Sequence, residues 1–317
     1  KVLLTVAGLL VVPVSTAQAQ TAEAAQTALG RELSDWLLHG KYAAARERVA
    51  SASASRLADQ GKSGNDPGQV QWSADDAGLV AEVLILTGDL KAAKAVLQPQ
   101  VATAKLKTAS LHLLRTYAEL LRRTATAEAR KQFLMAAVQA QPKQLWLRVL
   151  LGEQLRDMGK RVEAHRLLDA VVTAYEDKLA EGSDDLLAVA KALQVNGFVK
   201  DALQVLEEAS EIGANPAEGL AVQLAEGELF LSKYNWRDAD SAFKEVLQEN
   251  PHHARALVGM ARIDLASDHN IAKARERVEA VLKQDPSDLD AMALRAEIAL
   301  WDEDSGKATE LLDKAKA

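Results

Sequence analysis

The sequence predicts an all-α protein, a right-handed α-solenoid of stacked antiparallel helix pairs. Of its 317 residues, 48% are hydrophobic but only 4% are aromatic, so Ala, Leu and Val supply most of the apolar surface. Gly (17) and Pro (7) are scarce, whereas a large β-sandwich or a doubly wound sheet needs more turn residues. The third observation is an internal repeat of roughly 36 residues, which predicts an array of similar units instead of two globular domains.

The first element of the chain is interpreted as an export signal. Lys1 precedes an apolar run over residues 2–14, and the stretch Ala17–Ala19 has the A-x-A form of a cleavage site. This combination is typical of a secretory signal peptide, and the run is shorter than the about 20 residues that a membrane-spanning helix needs. We therefore expect residues 1–19 to be a signal peptide and residues 20–317 to be exported, into a bacterial periplasm.

Small residues at a regular spacing mark the repeat. The anchor positions are Ala45, Ala93, Ala129, Ala164, Ala202, Ala239, Ala274 and Ala308. A large residue follows four positions later and a smaller apolar residue seven positions later, which places all three on one face of a helix. Four of the seven prolines stand in one phase after the anchors, where proline ends the helix. These prolines are Pro142, Pro216, Pro251 and Pro286.

Glycines divide each unit into two helices. Five positions before an anchor, Gly40, Gly88, Gly159 and Gly197 predict a tight turn. Gly152 and Gly227, twelve positions before their anchors, are expected where two helices approach closely. The longest spacing between anchors contains a polar, Gly- and Pro-rich stretch, which predicts a loop insertion near residues 60–73.

This pattern resembles the tetratricopeptide repeat (TPR), a unit of about 34 residues made of a helix, a tight turn and a second helix. The best-matching unit carries Gly227, Phe230, Ala239, Phe243 and Pro251. The resemblance covers about residues 31–317, although most units have Leu where the family has aromatic residues. It implies an array of about eight helix-pair repeats, whose first helices line a concave groove that receives a peptide or another protein.

Signatures of catalysis and of metal binding are missing from the sequence. There is no cysteine. Gly61-Lys62-Ser63 lacks the first glycine of a phosphate-binding loop, because Arg56 stands at that position. The six histidines form no H-E-x-x-H motif or other i, i+4 histidine pair for zinc. The acidic pair after Ser183 is interpreted as the first turn of a capped helix. We therefore expect no catalytic residue, no cofactor and no metal.

The lining of the implied groove is mixed in charge. In the register set by the Ala anchors, the second, fifth, ninth and twelfth positions of each unit face the groove. Six of these residues are predicted to form a central partner-binding patch: Trp146, Glu153, Arg156, Lys191, Gln194 and Glu228. Such a lining differs from the Lys- and Arg-rich clamp with which some TPR proteins bind a terminal carboxylate. The alternative is that these side chains only solvate the inner wall.

The sequence therefore predicts a non-catalytic exported TPR scaffold that binds protein or peptide partners in the cell envelope. A net charge of −7 and few aromatic residues argue against nucleic acid as a partner. After the signal peptide, no apolar run approaches the about 20 residues of a membrane span. An alternative is that the chain is the N-terminal TPR portion of a larger exported enzyme, for example a metallopeptidase whose catalytic domain lies beyond residue 317. The sequence does not indicate the oligomeric state.

Overall fold

The computed structural model describes residues 27–59, 70–212, 215–267 and 269–316, and these residues are predominantly helical. Within them lie sixteen α-helices, one short 3₁₀ helix and no β-strand. None of the described helices is long and apolar enough to cross a membrane. The predicted signal peptide and most of the predicted loop insertion lie outside the described residues.

The α-helices are α1 (Ala28–Leu38), α2 (Tyr42–Asp59), α3 (Ala74–Leu86), α4 (Leu90–Leu97), α5 (Leu111–Thr124), α6 (Ala127–Ala140), α7 (Leu145–Asp157), α8 (Arg161–Glu176), α9 (Ser183–Asn196), α10 (Val199–Ile212), α11 (Pro216–Ser232), α12 (Trp236–Glu249), α13 (Ala254–Ala266), α14 (Ile271–Gln284), α15 (Leu289–Trp301) and α16 (Ser305–Lys316). They are arranged as eight antiparallel pairs, in which an odd-numbered first helix is followed by an even-numbered second helix.

Each pair packs on the next pair along the chain. First helices of neighbouring pairs also lie against one another, and at the junction between the third and fourth pairs the contact is made by side chains, where Arg115 of α5 stacks over Trp146 of α7. No comparable contact joins successive second helices in the described parts of the chain. The first helices therefore lie on the inside of a curved array, and the second helices lie on the outside. This arrangement confirms the predicted fold class, an all-α solenoid of stacked antiparallel helix pairs.

The turn inside each pair has the same backbone shape in seven of the eight pairs. Its residue five positions before the anchor is left-handed, with φ between 51° and 90°. Glycine occupies this position in four pairs, as the sequence predicts, since glycine has no Cβ to oppose that conformation. In the last three pairs the residues at this position are not glycine. They are Tyr234 (φ 58°), His269 (φ 51°) and Glu303 (φ 61°).

Polar side chains begin most of the first helices. Each accepts a hydrogen bond from the backbone N–H three residues later, which satisfies one of the free donors at the helix start. These caps are Thr27, Ser73, Ser110, Asn215 and Asp288. In α9 the acidic pair Asp184 and Asp185 stands in the first turn, as predicted, but Gly182 takes the capping position and the buried hydroxyl of Ser183 has no hydrogen-bond partner.

Glycine allows close helix packing where the sequence predicts it. A Cβ added at Gly152 would lie 2.8 Å from Leu168, and one added at Gly227 would lie 2.7 Å from the ring of Phe243. Phe243 is fully buried in α12. Its other edge is so close to Gly259 of α13 that a Cβ there would also collide with the ring. One aromatic ring therefore fills the space between the sixth pair and the first helix of the seventh pair.

The third pair departs from the predicted register by one residue. Ala129, the predicted anchor, is exposed, whereas Arg130 is only 7% exposed and stands where other pairs have a buried alanine. Its guanidinium donates to the carbonyl of Ala118 (3.1 Å) and to the side-chain oxygen of Gln154 (2.6 Å). An arginine cannot allow the close approach that alanine allows, and at the next junction the first helices α5 and α7 are joined through long side chains, Arg115 and Trp146. Burial lowers the pKa of Arg130 from its usual range.

The array curves until its first pairs reach its last pairs. The turn between α1 and α2 lies against the turn between α12 and α13, where the Asn250 side chain donates to the carbonyl of Leu37 (3.1 Å), 213 positions away. The C-terminal end of α5 lies against the turn between α14 and α15, where Arg123 pairs with Asp285. The solenoid is thus closed by contacts between distant turns.

Candidate functional site: a charged inner groove

Charged side chains on four successive first helices form a row along the inner face. Glu153 on α7 lies 3.6 Å from the ammonium of Lys191 on α9, and Lys191 lies 4.0 Å from Glu228 on α11. The other carboxylate oxygen of Glu228 is 2.5 Å from the guanidinium of Arg255 on α13. The charges alternate in sign, and we call this row the inner ion ladder. Three of its four members are in the predicted patch.

The inner ion ladder is built by the repeat itself. Its members stand on equivalent faces of consecutive first helices, which contact one another, so neighbouring side chains come within ion-pair distance. All four side chains remain partly accessible, from 22% exposed for Glu228 to 58% for Arg255. Exposed ion pairs contribute only about 0–1 kcal/mol each. The ladder therefore leaves charges on the inner wall that a ligand can engage at little cost.

Trp146, the only aromatic residue of the predicted patch, is held in a cluster at the start of α7. Its indole N–H lies 2.9 Å from both the backbone oxygen and the side-chain oxygen of Asp184. The guanidinium of Arg115 stacks over its ring at 4.2 Å and also pairs with Asp184 at 3.0 Å. The stacking and the ion pair fix the ring on the inner face, where it remains partly exposed. A fixed, half-exposed tryptophan is a suitable anchor for a partner.

The last two residues of the predicted patch lie one helical turn beyond the ladder. Arg156 is exposed near the end of α7 and donates to the carbonyl of Val195, while Gln194 is half-buried on α9. The six predicted residues therefore occupy one continuous strip of α7, α9 and α11. Whether they contact a partner stays a prediction.

Three inner-face residues lie outside the predicted patch. Arg255 was missed because the turn after α13 is longer, which shifts the register of the seventh pair by one position. Asp184 was interpreted as part of a capped helix start, yet its side chain binds Arg115 and Trp146. Arg115 was missed because the false anchor Ala129 displaces the third pair by one residue. Arg115 falls on the predicted inner face only when the buried Arg130 is taken as the anchor of the third pair.

His253 caps the helix that carries Arg255. Its Nδ1 accepts a hydrogen bond from the backbone N–H of Ala256 at 3.4 Å, which requires a neutral ring at that nitrogen. Burial, with the nearby charge of Arg255, lowers the pKa of His253 to about 4. The cap is therefore uncharged at neutral pH. Across the described ranges, no three His, Asp or Glu side chains are grouped so that they could hold a metal ion.

Comparison with known proteins agrees with this architecture. Residues 230–298, which run from α11 into α15, match the tetratricopeptide repeat family. Residues 230–298 therefore contain tetratricopeptide repeats. The matching segment includes Phe243 and the anchors Ala239 and Ala274, where the sequence motif is most regular. No curated protein matches the sequence.

The TPR array is also similar to solved structures of low sequence identity. One is the APC/C hetero-tetramer Cut9–Hcn1, 14% identical with a TM-score of 0.56, where the match covers 88% of this chain and 56% of that chain. Another is a monomeric mutant of IFIT1 with Gppp-AAAA, 15% identical with a TM-score of 0.51, covering 94% and 71%. A TPR protein from Parabacteroides merdae is 16% identical with a TM-score of 0.47, covering 77% and 92%. At these identities the similarity concerns the fold alone.

Proposed function

We propose that this TPR protein is a non-catalytic scaffold that binds a protein or peptide partner along its inner groove. The observation that carries the proposal is the inner ion ladder, Glu153–Lys191–Glu228–Arg255, which runs across four consecutive repeats. A strip of this kind can bind an elongated ligand because each repeat presents similar side chains at a regular interval. Trp146 at one end of the strip provides an apolar contact.

The charge pattern of the ladder favours a polypeptide that itself carries both signs of charge. Each ladder residue is paired within the protein, so a partner gains by replacing those pairs with its own complementary charges. A uniformly negative ligand such as nucleic acid would meet Glu153 and Glu228 as well as Lys191, and the chain has a net charge of −7. Like charges placed opposite each other disfavour such a partner.

Peptide selection on the purified protein tests this proposal. Peptides enriched from a displayed library would be measured against the unmodified protein and against Lys191→Glu, which places a third acid beside Glu153 and Glu228. The control Lys200→Glu makes the same charge change at an exposed site on α10, a second helix. We expect Lys191→Glu to weaken binding by about tenfold or more, which corresponds to about 1.4 kcal/mol. Equal affinities for the two variants, or no enriched peptide, would refute groove binding.

Export to a bacterial periplasm is a further part of the proposal, supported by the sequence of residues 1–19. Expression of the chain with and without these residues, followed by cell fractionation and mass measurement, tests it. We expect only the longer chain to reach the periplasm, shortened by the mass of residues 1–19. Retention of the full-length chain in the cytoplasm would contradict export. This outcome is independent of the binding test, because groove binding is measured on the purified protein.

A further inference from the structure

The first three pairs of the array are joined to the last three pairs by two sets of contacts, which we call the closing contact. In the first set, the side-chain amide of Asn250 donates to the hydroxyl of Tyr42 (2.9 Å) as well as to Leu37. His39 lies 3.0 Å from Glu249. Asn250 and Tyr42 are only 2% and 6% exposed. This set therefore fits one turn of the first pair closely against the turn that follows α12.

The second set is a buried ion cluster. The side chain of Arg123, 5% exposed, pairs with Asp285, lies 3.7 Å from Asp288, and also pairs with Glu119 of its own helix at 2.7 Å. The neighbouring Arg122 lies 3.5 Å from Asp290. Arg122 stands at an inner-face position of α5, and Asp290 stands at an inner-face position of α15. This second set therefore reaches the inner face of the array from both sides.

The closing contact differs in kind from the contacts between neighbouring pairs. Within the described residues, six apolar clusters form the core, and each one joins helices that are near each other in sequence. None of these clusters contains residues of both the first three and the last three pairs. Apolar burial therefore holds neighbouring pairs together, whereas the closing contact consists of hydrogen bonds and ion pairs.

This difference predicts a contact that is specific but reversible. The loss of hydration on burying Arg123 and Asp285 offsets much of their attraction, so a buried ion pair contributes little net stability. The same burial makes any mispaired arrangement costly, because it would leave a charge unpaired in the interior. When the contact opens, water replaces the lost partners, and the apolar clusters that stabilise each pair stay intact.

We propose that the closing contact is a releasable latch, which holds the solenoid closed and controls how far the inner groove opens to a partner. In the closed form, Arg122 and Asp290 pair beside the groove and the end pairs are fixed against each other. In the open form the end pairs separate and the inner face of α5 and α15 becomes accessible. This inference concerns access to the groove and stands independently of which partner binds there.

Spin labels can measure the opening directly, since the chain contains no cysteine that would have to be removed. Ala44 on α2 and Ser241 on α12 are exposed and outside the closing contact, so Ala44→Cys and Ser241→Cys place one label on each side of it. The latch variant combines Tyr42→Phe with Arg123→Met. Both changes are on the N-terminal side and leave the caps around Asp285 and Asp288 unaltered.

A matched control removes a similar ion pair that lies inside one repeat. Arg277 of α14 is 2.7 Å from Asp264 of α13, and that carboxylate is 2% exposed, so Arg277→Met disrupts a buried pair without touching the latch. Pulsed electron spin resonance should give one narrow distance distribution for the parent and for the control. The latch variant should show a second, longer distance, populated at least tenfold more than in the parent. About 1 M NaCl shortens the Debye length to about 3 Å and screens the partly exposed pair Arg122–Asp290, so it should raise the same population in the parent.

A labelling rate reports access to the groove. With a single cysteine at Gln194→Cys, a bulky polyethylene-glycol maleimide should react at least fivefold faster in the latch variant, while small N-ethylmaleimide should react at an unchanged rate. A latch variant that keeps the single narrow distance and the parent labelling rates would overturn the proposal, as would a broad distribution in the parent at low salt. If circular dichroism shows that the double variant does not fold, Tyr42→Phe alone and the salt series of the parent decide by the same criteria.

Discussion

Two glycines on one helix allow the packing around Phe243 to be tested with an internal control. Gly227 and Gly219 both lie in α11, but a Cβ at Gly227 would be 2.7 Å from the buried ring of Phe243, whereas a Cβ at Gly219 would meet nothing within 4 Å. Replacing glycine by alanine within a helix stabilises it by about 0.8–1 kcal/mol. We therefore expect Gly219→Ala to stabilise the protein by up to about 1 kcal/mol.

Gly227→Ala gains the same helix propensity but forces the ring to move. Ordinary contact needs roughly 0.7 Å more space than the 2.7 Å available, and the ring cannot retreat because its far edge already lies against Gly259. Overpacking of this kind costs about 1–3 kcal/mol. Gly227→Ala should therefore be about 1–3 kcal/mol less stable than Gly219→Ala.

Urea unfolding followed by circular dichroism measures the difference. Midpoints should be compared as well as extrapolated free energies, because long repeat arrays do not always unfold in a single step. Phe243→Leu in the Gly227→Ala background should recover part of the loss by making room for the methyl group. Equal midpoints for the two alanine variants would show that the ring moves freely, which would refute the account of Phe243 as a fixed spacer.

Three further predictions concern the backbone, a buried pair and pH. Lys178 has a left-handed backbone with φ of 58°, which glycine adopts without strain, so Lys178→Gly should stabilise the protein by about 0.5–1 kcal/mol in the same urea assay. As a control, Gln204→Gly in the middle of α10 should destabilise it by about 1 kcal/mol. Gln154→Leu should lower the free energy of unfolding by about 1–3 kcal/mol, because it leaves the buried guanidinium of Arg130 without one of its acceptors. Adding Arg130→Leu should recover most of that loss. A double-mutant cycle that shows no coupling between the two positions would contradict the proposed role of the pair. Burial lowers the pKa of His253 from 6.5 to about 4. Between pH 6.5 and about pH 4 the unfolded chain therefore binds a proton at His253 that the folded chain does not. The free energy of unfolding should fall as the pH drops through this range. Between pH 7 and pH 5 this loss is about 2 kcal/mol, and His253→Asn should remove it, so that the urea midpoints at the two pH values differ less.

The periodic part of the fold could be predicted from the sequence because its signal is carried by small residues. Ala239, Phe243 and Pro251 mark one helix face and the end of that helix, and the same phase recurs along the chain. The register failed in the third pair, where Arg130 occupies a position that alanine fills elsewhere. A pattern of small residues cannot identify Arg130 as an anchor, because this arginine is buried only through its hydrogen bonds, one of them to Gln154.

The inner-face residues could be predicted in part. Glu153, Lys191 and Glu228 were found because each lies in a unit whose register the anchors fix correctly. Arg255 was not in the predicted patch because the length of the turn after α13, and not helix periodicity, decides which residue of α13 faces inward. The tight turns of the last three pairs were not predicted either, because the sequence pattern looks for glycine and Tyr234 adopts the same left-handed conformation without being glycine.

The contacts between Asn250 and Tyr42 and between Arg123 and Asp285 were beyond any local pattern, since their partners are more than 160 positions apart. They depend on the curvature accumulated over the pairs that lie between the two partners, to which each junction adds a small rotation. No short segment of sequence contains that sum. A single junction of altered geometry, such as the one beside Arg130, changes where the ends meet.

The closing contact also changes what the ends of this solenoid are. In an open repeat array, each terminal unit has a neighbour on one side only, so unfolding begins there and fraying proceeds inward. Here the first pair is covered by the turn after α12, and the second and third pairs by the turn after α14. We therefore expect the amide protons of α1 to exchange with solvent only after the closing contact has opened.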